Sequence, residues 1–348
     1  MTAGLRPVAG DPREVFALVE PWVRHGGEPL VIRTSGSTGE PKDVVLSHRA
    51  VLASAQASLD RLGGPGGWLQ DIPVTGVGGL QVLVRSAVSG LEPVYADEHA
   101  SLGAAIAAIP GPRRYASLVP TQVHRLAESG DLDDLALLDA VLIGGAAVPA
   151  GLLEVLGEAG ARVVRTYGMS ETSGGCVYDG YPLDGVRVRL DDAGQVHLSG
   201  PILFDGYADP VVTARVLQDG WFATADLGEI DPAGRLRITG RADDVVISGG
   251  VNVPLPAVTT VLRTCEGVRD AIALGVPDDE WGARVVAFLV PDDAVCLDGL
   301  RLDEVRDAIE EAGLPRSWAP RDVVLLDSLP LLPGGKVDRQ ILLRAAGR

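Results

Sequence analysis

A chain of 348 residues, 46% of them apolar, has the length and the hydrophobic content for two domains with cores of their own, which excludes a disordered chain. Its formal charge is −17, from 47 acids against 30 bases, so it has no electrostatic footprint for nucleic acid or an anionic membrane surface, and any anionic ligand must be held by a local site. Cys176, Cys265 and Cys296 are scattered without CxxC spacing, which argues against a disulfide framework and a cysteine-bound zinc.

The first residues, "MTAGLRPVAGDPREVFALVE", lack a basic start followed by an apolar core, so they do not read as a signal peptide. No apolar run approaches the roughly 20 residues that span a bilayer. The expectation is a cytoplasmic protein without membrane insertion. Asp11-Pro12 predicts an N-cap and first helical position for a helix to about His25. "PLVIRT" is a short buried strand that runs into the loop "TSGSTGEPK", Thr34–Lys42. Ser47 caps a helix that Gly63-Gly64 closes. Strands and helices then alternate to about Gly168, from "WLQDIP" and "GGLQVLVRSAVSG" to "DAVLIGG", "PAGLLEVLGEAG" and "ARVVRTYG". Apolar strands alternating with helices predict a mostly parallel sheet covered on both faces. From about Val186, short alternating strands such as "VRVRL" and "RLRITGR" predict a small antiparallel unit. Beyond "GRADD", strand and helix segments predict a small α+β domain. The expected fold is therefore α/β: a large N-terminal domain, residues 1–241, and a small C-terminal domain, residues 242–348.

Only Lys42 and Lys336 among the 30 basic residues are lysines, and both stand beside glycines, in "GSTGEPK" and "LPGGK". Lysine is a compact point charge where arginine is a planar fork, so in an arginine-rich chain each lysine calls for a reason. The loop before Lys42 has six hydroxyl or glycine residues in a row. Successive N–H groups in such a loop form an anion nest, and hydroxyls add donors. It is not the common P-loop, because Pro41 precedes the lysine and Asp43 follows it. A surface turn before a helix is the plainer reading.

"TSGSTGEPKDV" resembles the phosphate-binding signature of the adenylate-forming enzymes, the superfamily of acyl-CoA synthetases, adenylation domains and luciferases. "TYGMSET", "GWFATADLGEI", "GRADDVVISGGVNV" and "LPGGKVDR" follow in that superfamily's order, so the resemblance covers nearly the whole chain. It implies a two-step ligase: a carboxylate attacks the α-phosphate of ATP to give an acyl-adenylate and pyrophosphate, and a thiol, usually of coenzyme A, then displaces AMP. It also implies a mobile C-terminal domain that rotates between the two steps.

The resemblance implies roles residue by residue. Thr34, Ser35, Ser37, Thr38 and Lys42 would cradle the β- and γ-phosphates of ATP. Gly144, Tyr167 and Thr172 would join them in the nucleotide site, with Tyr167 stacking on adenine. Glu171 would hold Mg²⁺, a hard cation that prefers oxygen. Asp226 would accept the ribose hydroxyls, and Arg241 would contact ribose or phosphates. Asp243 falls at the hinge. Lys336 would neutralise charge in the adenylating transition state. Ser248, Gly249 and Gly250 would line the path of coenzyme A. On residue chemistry alone plainer readings stand beside these: a core tyrosine, a helix-start glutamate, a turn-capping aspartate, a surface ion pair and a solvated lysine.

Within the superfamily the chain looks most like the short bacterial o-succinylbenzoate–CoA ligases of menaquinone synthesis, through "GGLQVLVRSAVSG", "SLVPTQVHRL" and "YGMSETSGGCVYDGYPLDGVRV". That likeness implies that Arg85 faces the second carboxylate of an aryl acid, with Thr75, Gly145 and Gly168 near the acid. The plainer reading of Arg85 is an arginine reaching solvent from an amphipathic helix. Three positions depart from the superfamily pattern: Asp43, Ala225 and Ala257. Asp43 adds a negative charge beside the phosphate loop. Histidines usual before the Arg85 helix are replaced by Thr75 and Gly76, which leaves another aromatic acid open. Loading of a separate carrier protein and a binding protein with a dead site are the competing functions, and a homodimer is left open.

Overall fold

The computed structural model describes residues 7–34, 41–146, 148, 150–292, 302–331 and 337–347, with Ala150 and Asp243 described by their backbone only. The described residues divide into two compact units. The first takes residues 7–224 and 229–237, and the second takes 225–228, 238–331 and 337–347.

The first unit centres on a seven-stranded sheet in the order Val94–Tyr95, Gly67–Gln70, Arg114–Leu118, Ala140–Ile143, Val163–Met169, Gly174–Tyr178, Tyr181–Pro182. The first five strands run parallel and the last two antiparallel. Alternation along each strand feeds two cores. Trp68, Tyr115, Ala140 and Leu142 enter one, which the helices His48–Arg61 and Val77–Ser89 cover. Leu69, Ala116, Val141 and Ile143 enter the other, under Leu102–Ala108 and Pro120–Ser129. Side chains of period two on a sheet buried on both faces produce this division.

Helix starts follow local chemistry. Asp11 accepts the Arg13 N–H ahead of Pro12, and Ser47 accepts the Ala50 N–H. Gly90, at φ +69°, ends Val77–Ser89.

A smaller antiparallel sheet joins Leu30–Thr34, Lys42–Leu46 and Gly206–Tyr207. Its middle strand is a finding against the sequence pattern: the loop after Thr34 leads into a strand, not directly into a helix. A further antiparallel sheet takes Arg187–Leu190, Gln195–Ser199, Leu217–Gln218 and the long strand Trp221–Ile230, with Leu236–Arg241 paired to the last.

The second unit is built on Val268–Asp278, Gly282–Pro291 and Asp322–Leu325, the first pair antiparallel and the second parallel. Ala271, Ala273, Val285 and Ala287 face the helices Leu255–Leu262 and Leu302–Glu311. Ile272, Leu274, Val286 and Phe288 face Arg339–Ala346. A two-stranded hairpin, Val245–Ser248 and Val251–Pro254, completes it. No helix of the described residues is long and apolar enough to cross a membrane.

Candidate active site

The antiparallel pair Leu30–Thr34 and Lys42–Leu46 sets Thr34 opposite Lys42 and Arg33 opposite Asp43. Thr34 and Lys42 therefore frame the two ends of the glycine-rich loop, and the Thr34 hydroxyl donates to the Lys42 carbonyl at 3.3 Å. Ser35, Ser37 and Thr38 lie outside the described residues. Arg33 grips the Asp43 carboxylate with Nε at 2.7 Å and Nη2 at 2.9 Å. That pair holds the Asp43 carboxyl below its ordinary range. The negative charge expected beside the loop is thus compensated by its cross-strand neighbour.

The third strand of this sheet brings Tyr207 opposite Val44. The Lys42 ammonium lies 5.4 Å from the centre of the Tyr207 ring. The Tyr207 hydroxyl donates to Glu171 Oε1 at 2.7 Å, and the Phe204 N–H donates to the Glu171 carbonyl at 2.9 Å. Burial, with the Glu171 carboxylate beside it, pushes the Tyr207 phenol far above its ordinary value, so it is a neutral donor. Glu171 sits in a single 3₁₀ turn, Ser170–Thr172, at the end of Val163–Met169. Thr172 is completely buried; its hydroxyl accepts the Met169 N–H at 2.9 Å and bonds the Gly174 carbonyl at 2.6 Å. It shapes the turn that carries Glu171.

The strand before the turn is irregular where it matters. The register between Val163–Met169 and Gly174–Tyr178 shifts between Tyr167 and Gly168. A Cβ on Gly168 would meet the Gly174 carbonyl oxygen at 2.1 Å, so only glycine fits this close approach. Tyr167 is half-buried beside the bulge, Gly144 follows the strand Ala140–Ile143, and Gly145 is exposed next to it.

Arg85 is buried, against its plainer sequence reading as a residue reaching solvent. It lies on Val77–Ser89 and is 4% exposed. Its guanidinium carbon stands 3.9 Å from the centre of the Trp68 ring. Nε donates to the Gln81 carbonyl at 2.8 Å, Nη1 to Ser58 Oγ at 3.2 Å and Nη2 to Ser117 Oγ at 3.2 Å. Ser58 is also 2.7 Å from the Tyr178 hydroxyl. These acceptors are neutral, and burial pulls the guanidinium below its ordinary value. One turn earlier, Gln81 donates to the Ser173 carbonyl at 2.7 Å and to the Val51 carbonyl at 3.2 Å. Thr75 is exposed on the turn before this helix, whereas Arg85 is buried two turns into it.

In the second unit, Arg241 Nη1 stands 3.2 Å from Asp226 Oδ1, and Asp226 is buried. Asp243 lies in the 3₁₀ turn Ala242–Asp244. Ser248 is buried with its hydroxyl unpartnered among the described residues. Gly249 and Gly250, at φ +58° and +80°, make the two-residue turn of the hairpin, a geometry that primed turns require. The Gly249 N–H donates to the Trp281 carbonyl at 3.0 Å. Lys336 lies outside the described residues. Just beyond it, Asp338 N–H donates to the Pro330 carbonyl at 2.7 Å, and Arg339 pairs with the buried Asp244.

The fold thus gathers Lys42 and Glu171 around Tyr207, with Thr34 opposite Lys42, and separately Asp226 with Arg241. Sequence reasoning missed Tyr207, Gln81 and Trp68. The signal for Tyr207 was weak: an aromatic in "FDGYAD", ahead of an Asp-Pro helix start.

A family model described as AMP-binding enzyme matches residues 29–208, and one described as AMP-binding enzyme C-terminal domain matches residues 258–336. The chain belongs to the AMP-binding enzyme family. It is 44% identical over 326 residues to a probable 2-succinylbenzoate–CoA ligase of Mycobacterium tuberculosis, covering 90% of this chain and 84% of that one. Among solved structures it is similar to o-succinylbenzoate CoA synthetase from Bacillus subtilis in complex with the acyl-adenylate intermediate, with TM-score 0.73, 26% identity, and coverage of 90% of this chain and 68% of the other. The same Bacillus subtilis family member in complex with ATP and magnesium ion matches with TM-score 0.74, 26% identity, and coverage of 89% and 69%.

Proposed function

We propose that the protein is an AMP-forming acid–CoA ligase whose acid is o-succinylbenzoate, the substrate of menaquinone synthesis. The supporting observation is Arg85: a buried guanidinium, backed by Trp68, that meets only neutral acceptors in the described residues. A buried charge without a counter-charge is costly, and an acid with a second carboxylate would supply one. The relative from Mycobacterium tuberculosis points to the same acid.

Thr34 and Lys42 belong to the loop that would hold the β- and γ-phosphates of ATP. Glu171 suits Mg²⁺, because its second oxygen makes no hydrogen bond to a described residue. Mg²⁺ is held by one or two carboxylates together with substrate phosphates, so a lone carboxylate fits. The metal would neutralise phosphate charge. Tyr167 would stack on adenine and Asp226 would take the ribose hydroxyls, with Arg241 orienting the Asp226 carboxylate. Lys336 would neutralise charge as the acid's carboxylate attacks the α-phosphate. Ser248, Gly249 and Gly250 would line the path of the coenzyme A thiol, which then displaces AMP. Residues 1–241 act as the ATP- and acid-binding domain and 242–348 as the mobile domain with its hinge at Asp243. The cytoplasm supplies both ATP and coenzyme A and is the assigned compartment.

Pyrophosphate release and acyl-CoA formation, measured with o-succinylbenzoate and a panel of monocarboxylic aromatic acids, test this reading. Adenylation of o-succinylbenzoate with transfer to free coenzyme A is expected. Pyrophosphate release without any acyl-CoA would instead indicate a carrier-protein acceptor, and preference for a mono-acid would refute the di-acid assignment.

A further inference from the structure

Tyr207 is tied to both ends of the candidate phosphate–metal site, and no motif singled out in the sequence contains it. Its hydroxyl donates to Glu171 Oε1 at 2.7 Å, and its ring centre is 5.4 Å from the Lys42 ammonium. The ring itself is held. Phe204 stacks edge-on at 5.0 Å and is packed in turn against Phe222 at 5.2 Å. The Tyr207 N–H donates to Thr213 Oγ1 at 2.8 Å. The segment around it is fastened to the strand that starts at Lys42: Asp205 N–H donates to the Val45 carbonyl and Ala208 N–H to the Asp43 carbonyl, both at 2.9 Å. The Phe204 N–H holds the Glu171 backbone at the same time. One short segment, 204–208, therefore fixes the position of Lys42 relative to Glu171.

We propose that Tyr207 is a positioning residue that presents the Glu171 carboxylate to a divalent cation. The inference rests on Glu171 as the metal carboxylate. A phenol is suited to this work because it is a neutral donor. An arginine or lysine in its place would orient the carboxylate equally well but would cancel the charge that a cation needs. By occupying Oε1, the phenol restricts the carboxylate's rotation and leaves Oε2 without a hydrogen bond to a described residue. Pre-ordering of this kind lowers the entropy lost when the metal–nucleotide complex binds.

The test is calorimetric titration of ATP into the intact protein across a MgCl₂ series and in EDTA, with Tyr207→Phe, Glu171→Ala and the double variant. Melting curves accompany each variant. Tyr207→Phe keeps the ring and removes only the hydroxyl. It should require about tenfold more Mg²⁺ for half-maximal ATP affinity, the scale of one hydrogen bond to a charged group, while ATP affinity in EDTA stays at the wild-type value. Glu171→Ala should abolish the Mg²⁺ response, and Tyr207→Phe should add nothing in that background. An unchanged Mg²⁺ midpoint in Tyr207→Phe, or an equal loss of ATP affinity with and without Mg²⁺, overturns the proposal. Where Tyr207→Phe also lowers the melting temperature, the double variant decides: an additive loss marks a merely structural tyrosine and overturns the proposal, and a non-additive one supports it. A Mg²⁺ response that survives Glu171→Ala removes the metal assignment and the proposal with it. A response lost in Glu171→Ala but untouched by Tyr207→Phe removes the tyrosine's role alone.

Discussion

The Arg85 guanidinium lies flat enough against Trp68 to bring its central carbon within 3.9 Å of the ring centre, and its three hydrogen bonds go to Gln81, Ser58 and Ser117. A cation desolvated over an aromatic face gains about 2 kcal/mol, which only partly offsets its burial. The ligand-free protein thus carries a charge that a bound carboxylate would compensate.

Arg85→Met should therefore separate stability from selectivity. Methionine fills much of the arginine stem's volume without a charge, so the ligand-free melting temperature is expected to hold or rise. Selectivity should collapse. A charge-assisted hydrogen bond is worth about 1.5–3 kcal/mol, so kcat/KM for o-succinylbenzoate should fall about 10- to 150-fold relative to a monocarboxylic aromatic acid. Equal losses for both acids would remove Arg85 from the acid pocket.

The Arg33–Asp43 pair leads to a second expectation. Arg33→Ala should expose the Asp43 charge next to Lys42 and weaken ATP binding a few-fold, more at low salt than at high salt. Asp43→Asn in the same background should restore it. Arg33 is exposed and Asp43 half-buried, so the pair's effect on stability should be small. The sign with pH is definite. Asp43 is depressed in the folded protein, so its contribution is complete above the ordinary aspartate value of about 3.9 and is lost as pH falls through the lower folded value. Calorimetric ATP affinities at two ionic strengths check the first point, and acid unfolding of Arg33→Ala the second.

What was legible in the sequence was what is local. Asp11-Pro12 and Ser47 announce helix starts because caps are made by residues within a turn of one another. The parallel sheet was legible because strands such as Gly67–Gln70 are apolar on both faces. Lys42–Leu46 was not, since "KDVVL" follows a glycine-rich loop and gains its strand character from partners on both sides, one of them Gly206–Tyr207 far down the chain. The same distance hid the site's organisation. Lys42 and Glu171 could each be named from a motif, but the tyrosine that joins them is placed by tertiary pairing. Likewise, "LQVLVRSAV" reveals an arginine on an apolar helix, while the stacking of Arg85 on Trp68 depends on how that helix crosses the sheet.

Lys336 should distinguish the two half-reactions. Lys336→Ala is expected to reduce adenylate formation, read as pyrophosphate release, by several orders of magnitude. Transfer from a pre-made acyl-adenylate to coenzyme A should stay within a few-fold of wild type. The reason is that a cation at the α-phosphate is needed only while charge builds there. Equal losses in both half-reactions would show that Lys336 acts through structure.

Arg339 tests whether the segment beyond Lys336 is anchored by charge. Its guanidinium meets both oxygens of Asp244, with Nη2 at 3.0 Å from Oδ2, and Asp244 is 5% exposed while Arg339 keeps about a third of its surface in solvent. Removing one partner of such a pair strands the other charge, which costs about 3–5 kcal/mol when both are deeply buried and less here because Arg339 is partly hydrated. Arg339→Ala should therefore lower the stability of the second unit by about 1–3 kcal/mol, read from denaturant unfolding. Arg339→Ala with Asp244→Asn should recover part of the loss, because the stranded charge is gone. Adenylate formation should fall more than thioester formation in Arg339→Ala, since this ion pair, with the Leu331–Val337 bridge and the Asp338–Pro330 hydrogen bond, is among the described ties that follow Lys336 in the chain. A variant with wild-type stability and wild-type rates in both steps would mean that the pair is dispensable.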